Sequence, residues 1–246
     1  MTRYAPALFG LLTLALWQIV VWAWHVPPYL LPGPVAIAGA LVANAGVLLH
    51  AALSTLLVTG AALLAASVVG IAMALGVAAS PLARAAIQPW AVALQVTPVV
   101  AIAPLIIVWV GNPFAALVVC AAIVAFFPVF SNTVAGLEAV PPELLDLFRL
   151  YGASRLTLLW RLRLPQAVPM MLAGIRISGG LALVGAVVAE FVAGSGGIAS
   201  GLAYRILEAG YKLEIPRMFA ALVLLAVAGI AINAALGAMA RAVTRD

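Results

Sequence analysis

Apolar residues run along this chain in long blocks, and the polar breaks between them are short. The blocks fall at 7–25, 52–79, 87–110, 115–136, 168–192 and 218–240. An α-helix rises about 1.5 Å per residue, so about 20 apolar residues cross a hydrocarbon core. The pattern predicts an all-α polytopic membrane protein with about six transmembrane helices, because a helix pairs every backbone N–H and C=O within its own segment. The second block is long enough to tilt or protrude. Pro98, Pro104 and Pro128 fall inside blocks three and four, where each removes an intrahelical hydrogen bond and favours a kink. The first block ends in Trp22, Trp24, His25 and Pro27 and lacks a small-residue cleavage site. It reads as a span with an interfacial aromatic belt and not as a signal peptide. The chain then divides into a first span with its external connection, 1–51, and a core, 52–246, that carries a long polar connection at 137–167.

Composition strengthens the membrane reading. The chain is 67% hydrophobic and 8% charged, against about 25% charged in soluble domains. The net charge of +5 has two readings: affinity for nucleic acid, or the retention of Lys and Arg on the cytoplasmic side of a membrane. The basic residues sit between apolar blocks and form no separate domain, which favours topology and no nucleic-acid partner. With both termini inside, Arg3, Arg84, Arg149, Arg155, Arg161, Arg163, Arg241 and Arg245 are cytoplasmic, while Arg205, Lys212 and Arg217 are external. This bias predicts cytoplasmic termini.

The long connection is the polar exception. From Arg3 to Glu138 the only intervening charged residue is Arg84. Beyond it, Pro141-Pro142 breaks any helix from upstream and suits a first helical turn. Residues 143–151 then form a short helix, with Glu143 and Asp146 near its positive end. Leu144, Leu147, Phe148 and Tyr151 recur on one face. Gly152 suits a left-handed C-terminal residue. Ser154 caps a second helix from Arg155 to Leu164, and Pro165 marks a turn into the fifth span. Such an element either docks a partner or rests on lipid headgroups.

This stretch resembles the cytoplasmic loop of permease subunits in bacterial ATP-binding-cassette (ABC) importers. That loop reads Glu-Ala-Ala, three residues, Gly, nine residues, Ile, one residue, Leu-Pro. Here Asp146-Leu147-Phe148 stands for the triplet, Gly152 for the glycine, Leu162 for the isoleucine and Leu164-Pro165 for the closing pair, with Ala153-Ser154 following the glycine. Leu147 and Phe148 replace two alanines and enlarge the docking knob. Leu30-Leu31-Pro32-Gly33-Pro34, Thr97-Pro98, Ala103-Pro104-Leu105, Trp109-Val110-Gly111, Phe127-Pro128 and Gly185 to Phe191 are similar to the branch serving sulfonates, taurine, nitrate, riboflavin and pyrimidine precursors. The resemblance implies that Asp146, Leu147, Phe148, Gly152, Ala153, Ser154, Leu164 and Pro165 couple to a cytoplasmic ATPase dimer holding ATP and Mg. It further implies a second permease copy, a periplasmic substrate-binding protein and a bacterial inner-membrane location.

The chain's one lysine, Lys212, is followed by Leu213, so the phosphate-binding Gly-x-x-x-x-Gly-Lys-Ser/Thr is lacking. The permease is then expected to be no enzyme and to need no cofactor of its own. Neither Cys120 nor the pair His25 and His50 has metal-ligand spacing, so no metal is expected. Glu190, in span five, lines or gates a pathway, or else sits at the interface beside Arg205 or Arg217. Arg176 snorkels to the inner surface or lines an inner vestibule, and Pro98 is a pathway candidate. Gly174, Ser178, Gly179, Ala182 and Gly185 permit close helix approach, and Gly194, Gly196, Gly197 and Gly201 loosen the outer segment that follows. A self-contained secondary transporter is the rival reading. It needs acids in the bilayer, of which only Glu190 qualifies, and often internal repeats. A membrane-embedded enzyme lacks a catalytic constellation.

Overall fold

The computed structural model describes residues 5–194 and 200–244. Arg3, Gly196, Gly197 and Arg245 lie outside them. In chain order the helices are α1 (Ala5–Ala23), α2 (Pro34–Ala43), α3 (Ala45–Ala79), α4 (Pro81–Val96), α5 (Val99–Val110), α6 (Pro113–Glu138), α7 (Pro142–Leu150), α8 (Arg155–Leu158), α9 (Leu164–Ala193), α10 (Leu202–Tyr211) and α11 (Ile215–Val243). A π-helical turn, Leu159–Arg163, joins α8 to α9. Among the described residues there is no strand.

Four helical stretches are long and apolar enough to cross a membrane: α3, α6, the run Arg155–Ala193, and α11. The pair α4 and α5 makes a fifth if the two are one broken span, since they meet at 105°. The described apolar part of α1, Leu8–Ala23, is shorter, so the expected count of about six is approximate. The proline expected to kink the third span breaks it. Thr97 is extended, with φ −73° and ψ 122°, as steric conflict with the ring of Pro98 requires, and α5 restarts after Pro98. Segment 26–51, read as an external connection, holds α2 and the first turns of α3.

Local chemistry sets most helix ends. Ser80 accepts from the Ala83 N–H to open α4, and Asn112 accepts from the Ala115 N–H at 2.9 Å to open α6. Each stands before a proline at the first helical position, where its missing N–H costs nothing. Gly111 closes α5 at φ 66°.

Contacts divide the chain into two units, 1–54 with 194–228 and 55–193 with 229–246. The first has a core of Ile37, Leu48, Ala51, Leu202, Ile206, Ala220 and Ala221, with Trp17 tilted against Phe219. In the second, α9 lies against α6 at backbone distance. A Cβ on Gly174 would stand 2.7 Å from the Pro128 carbonyl oxygen, one on Gly185 2.8 Å from Ala121 Cα, and one on Gly136 3.0 Å from Ala167 Cα. Ser178 Oγ donates to the Ala125 carbonyl at 2.6 Å. The small-residue stripe expected on span five is thus an intrachain helix contact. Cys120 is buried in the same unit.

Candidate functional site: a two-helix element and a polar cleft

The polar connection folds as a helix, a glycine turn and a second helix. α7 starts at Pro142 and carries Glu143 in its first turn and Arg149 in its last, which matches both ends of its dipole. It ends in a Schellman motif. The Gly152 N–H donates to the Arg149 carbonyl at 2.9 Å and the Ala153 N–H to the Phe148 carbonyl at 3.0 Å. Gly152 sits at φ 69°, which favours glycine because a Cβ there meets the neighbouring carbonyl. Ser154 Oγ then accepts from the Thr157 N–H at 3.2 Å and opens α8. Helix, turn and cap agree with the sequence pattern.

Beyond the cap the expectation fails in one respect. Pro165 makes no turn. It sits in the first turn of α9, and α8, the π turn and α9 form one run from Arg155 to Ala193. Pro165 has no N–H for the carbonyl four residues back. The strain is taken up just upstream, where the Leu164 N–H bonds the Leu159 carbonyl at π spacing.

The loop residues divide by environment. Leu159 and Leu162 are buried, and Leu159 and Leu164 pack with Phe126, Phe130 and Leu137. Leu144, Phe148 and Ala153 are half-buried, while Asp146, Leu147, Ser154 and Pro165 are exposed. Asp146 pairs with Arg149 at 3.1 Å on that surface. Leu147 is 46% exposed, Leu150 85% and Tyr151 84%. The outward apolar surface is therefore Leu147, Leu150 and Tyr151, while Leu144 and Phe148 turn partly inward. Behind the element lies a cavity of about 540 Å³ lined by Arg149, Arg155 and Arg163 among others. Arg84 of α4 pairs with Glu138 of α6.

Of the three pathway candidates, Pro98 is exposed at the α4–α5 break. Glu190 is 3% exposed and accepts from Thr55 Oγ1 at 2.8 Å, so it is enclosed. Arg205 and Arg217 pair with Glu208 and Glu214. Arg176 is exposed on α9 and its Nε donates to Asn233 Oδ1 of α11 at 2.9 Å. Its Cζ lies beside Gly237. These residues border a cleft of about 620 Å³ that also includes Arg241 and Thr244. Thr55, Asn233 and Arg241 were not legible as site residues from the sequence reading. The available signal was a single amide in an otherwise apolar block, since Asn233 is the only such residue between 218 and 240. Among the described residues, no group of three or more His, Cys, Asp or Glu side chains gathers.

Residues 66–245 match the family described as binding-protein-dependent transport system inner membrane component. The chain is 35% identical over 89% of its length to a probable ABC transporter permease protein of Haemophilus influenzae, 88% of which is covered. It is 32% identical to the riboflavin transport system permease protein RibX of Chloroflexus aurantiacus, over 96% of this chain and 87% of that one. Its fold is similar to a chain of the MetNI methionine ABC transporter in inward-facing conformations. The TM-score is 0.64 at 23% identity, over 80% of this chain and 96% of that one. The chain belongs to the binding-protein-dependent transport family and is a transmembrane permease subunit of an ABC importer, a multi-pass membrane protein that is not itself the ATPase.

Proposed function

We propose that this permease works as a homodimer in the bacterial inner membrane, with α7 and α8 set against two cytoplasmic ATPase subunits that hold ATP and Mg. A periplasmic binding protein delivers a small nutrient to the opposite side. The permease itself carries no cofactor. Relatives named for riboflavin, formylaminopyrimidine, aliphatic sulfonates and taurine support a small organic solute. Closure of the ATPase pair on ATP moves Asp146 to Ser154. Leu164 and Pro165 pass that motion into α9, and the route past Pro98, Arg176 and Glu190 changes from inward- to outward-facing. The ATPase must contact the element differently in its two states for this coupling to work.

One observation carries the reading: Leu147, Leu150 and Tyr151 present apolar surface to water on a helix tied to a membrane span by a glycine turn. Leu147→Asp tests it better than Phe148→Asp, because Phe148 is half-buried and its loss would also damage the fold. The variant should remain inserted but no longer copurify with the ATPase, and transport should cease. Full copurification and uptake by Leu147→Asp would remove the docking assignment. Uptake that persists without ATP would favour a secondary transporter.

A further inference from the structure

Arg176 starts from the middle of the α6–α9 contact and reaches toward the C-terminal end of α11, where its Cζ lies beside Gly237. Along the α6–α9 contact, Gly185 faces Ala121, Ser178 bonds Ala125, Gly174 meets Pro128 and Ala167 meets Gly136. Arg176 falls between Gly174 and Ser178, level with residues 125–128 of a helix that runs from 113 to 138. That is close to mid-length.

An arginine on an apolar span is costly unless its environment is polar. Among the described residues no carboxylate pairs with Arg176. Asn233 takes the Nε proton and fixes the plane of the guanidinium, which leaves the N–H groups of both Nη atoms for another acceptor. Gly237 makes room for the head, since a Cβ there would stand 3.4 Å from Cζ. Arg241 lines the same cleft, together with Thr244, and among the described residues no Asp or Glu does. The cleft therefore holds two fixed positive charges, one amide and one hydroxyl against apolar walls. A guanidinium with a free Nη edge recognises an oxyanion by paired hydrogen bonds.

We propose that this cleft between α9 and α11 is an anion station on the translocation route, and that the transported solute carries an oxyanion such as a carboxylate or sulfonate. The inference rests on the permease reading above and deepens it to a class of substrate. Arg176 with Asn233 takes the anionic group, and Arg241 draws it toward the cytoplasmic mouth. A phospholipid phosphate has the same chemistry, and the test separates the two sources.

Ile177 is exposed and borders the cleft, so a thiol placed there reports on it. In a Cys120→Ala background, Ile177→Cys is introduced into the permease–ATPase complex in phosphatidylcholine nanodiscs. It is treated with the anionic reagent sulfonatoethyl methanethiosulfonate and with its cationic trimethylammonium counterpart. Relative to their rates on free cysteine, the anionic reagent should be favoured by about tenfold, the lower range for a cleft of one charge sign. Arg176→Gln should abolish most of that preference, and Arg241→Gln part of it. Methanesulfonate should slow the modification, and neutral dimethyl sulfone should not. A preference unchanged by Arg176→Gln, or no protection by methanesulfonate, would overturn the station. So would a thiol closed to both reagents, or one shielded only when phosphatidylglycerol is present, because lipid would then be the occupant. ATPase copurification is read in the same samples. Its loss from the unsubstituted complex would count against the proposed docking of the ATPase and not against the station.

Discussion

Glycines of α9 differ in what surrounds them. At Gly174 a methyl group would press on the Pro128 carbonyl at 2.7 Å and on Asn132 Cβ at 2.8 Å, whereas at Gly180 it would meet nothing within 4 Å. Gly174→Ala must therefore push α6 from α9, at about 1–3 kcal/mol for overpacking. Gly180→Ala should stabilise by about 0.5–1 kcal/mol through helix propensity. Melting of the purified permease, followed by circular dichroism, should move in opposite directions for the two. A second residue-scale prediction concerns α10. Hydrogen bonds from Lys212 and Arg205 hold the Glu208 carboxyl down to about 2, below its ordinary 4.5. A depressed carboxylate stabilises the fold fully above its unfolded value and loses that contribution as pH falls through its folded value. The difference in melting temperature between wild type and Glu208→Gln should be constant above about pH 4.5 and shrink toward pH 2.

The ends of α7 and the start of α8 were legible because their signals act locally. Pro141-Pro142 and Gly152 act through backbone geometry and Ser154 through its hydroxyl, which caps α8. Two features were not legible. α2 is apolar but only 10 residues long, too short to be read as a span, and its charge-free flanks gave no contrast. The π turn answers to Pro165 and to the burial of Leu159 and Leu162 together, and only the proline is visible in the sequence. A π turn holds one residue more than an α-turn would need. Deleting exposed Trp160 should let the run close as α-helix with α7 still in phase with α9. A deletion at Gly180 should rotate everything upstream by about 100°. ATPase copurification should survive the first deletion and fail after the second.

At the scale of the molecule, function was legible because one polar island stands out in an apolar chain, and its motif from Asp146 to Pro165 resembles that of the permease family to which the chain belongs. The route proposed through the membrane was less legible. Its polar groups are single residues on different helices, Arg176 and Asn233 57 positions apart and Thr55 and Glu190 135 apart. Only packing brings them together. That packing also preserves the uninterrupted run from Arg155 to Ala193, which is 39 residues long. At 1.5 Å per residue it measures about 58 Å, so a tilt of about 5° pivoted at one end carries the other through about 5 Å. In the docking proposed above, the run is a lever arm with the coupling turn at one end and the enclosed acid Glu190 near the other. A small displacement at that turn would then be converted, without any local unfolding, into a shift at the far end wider than a water molecule.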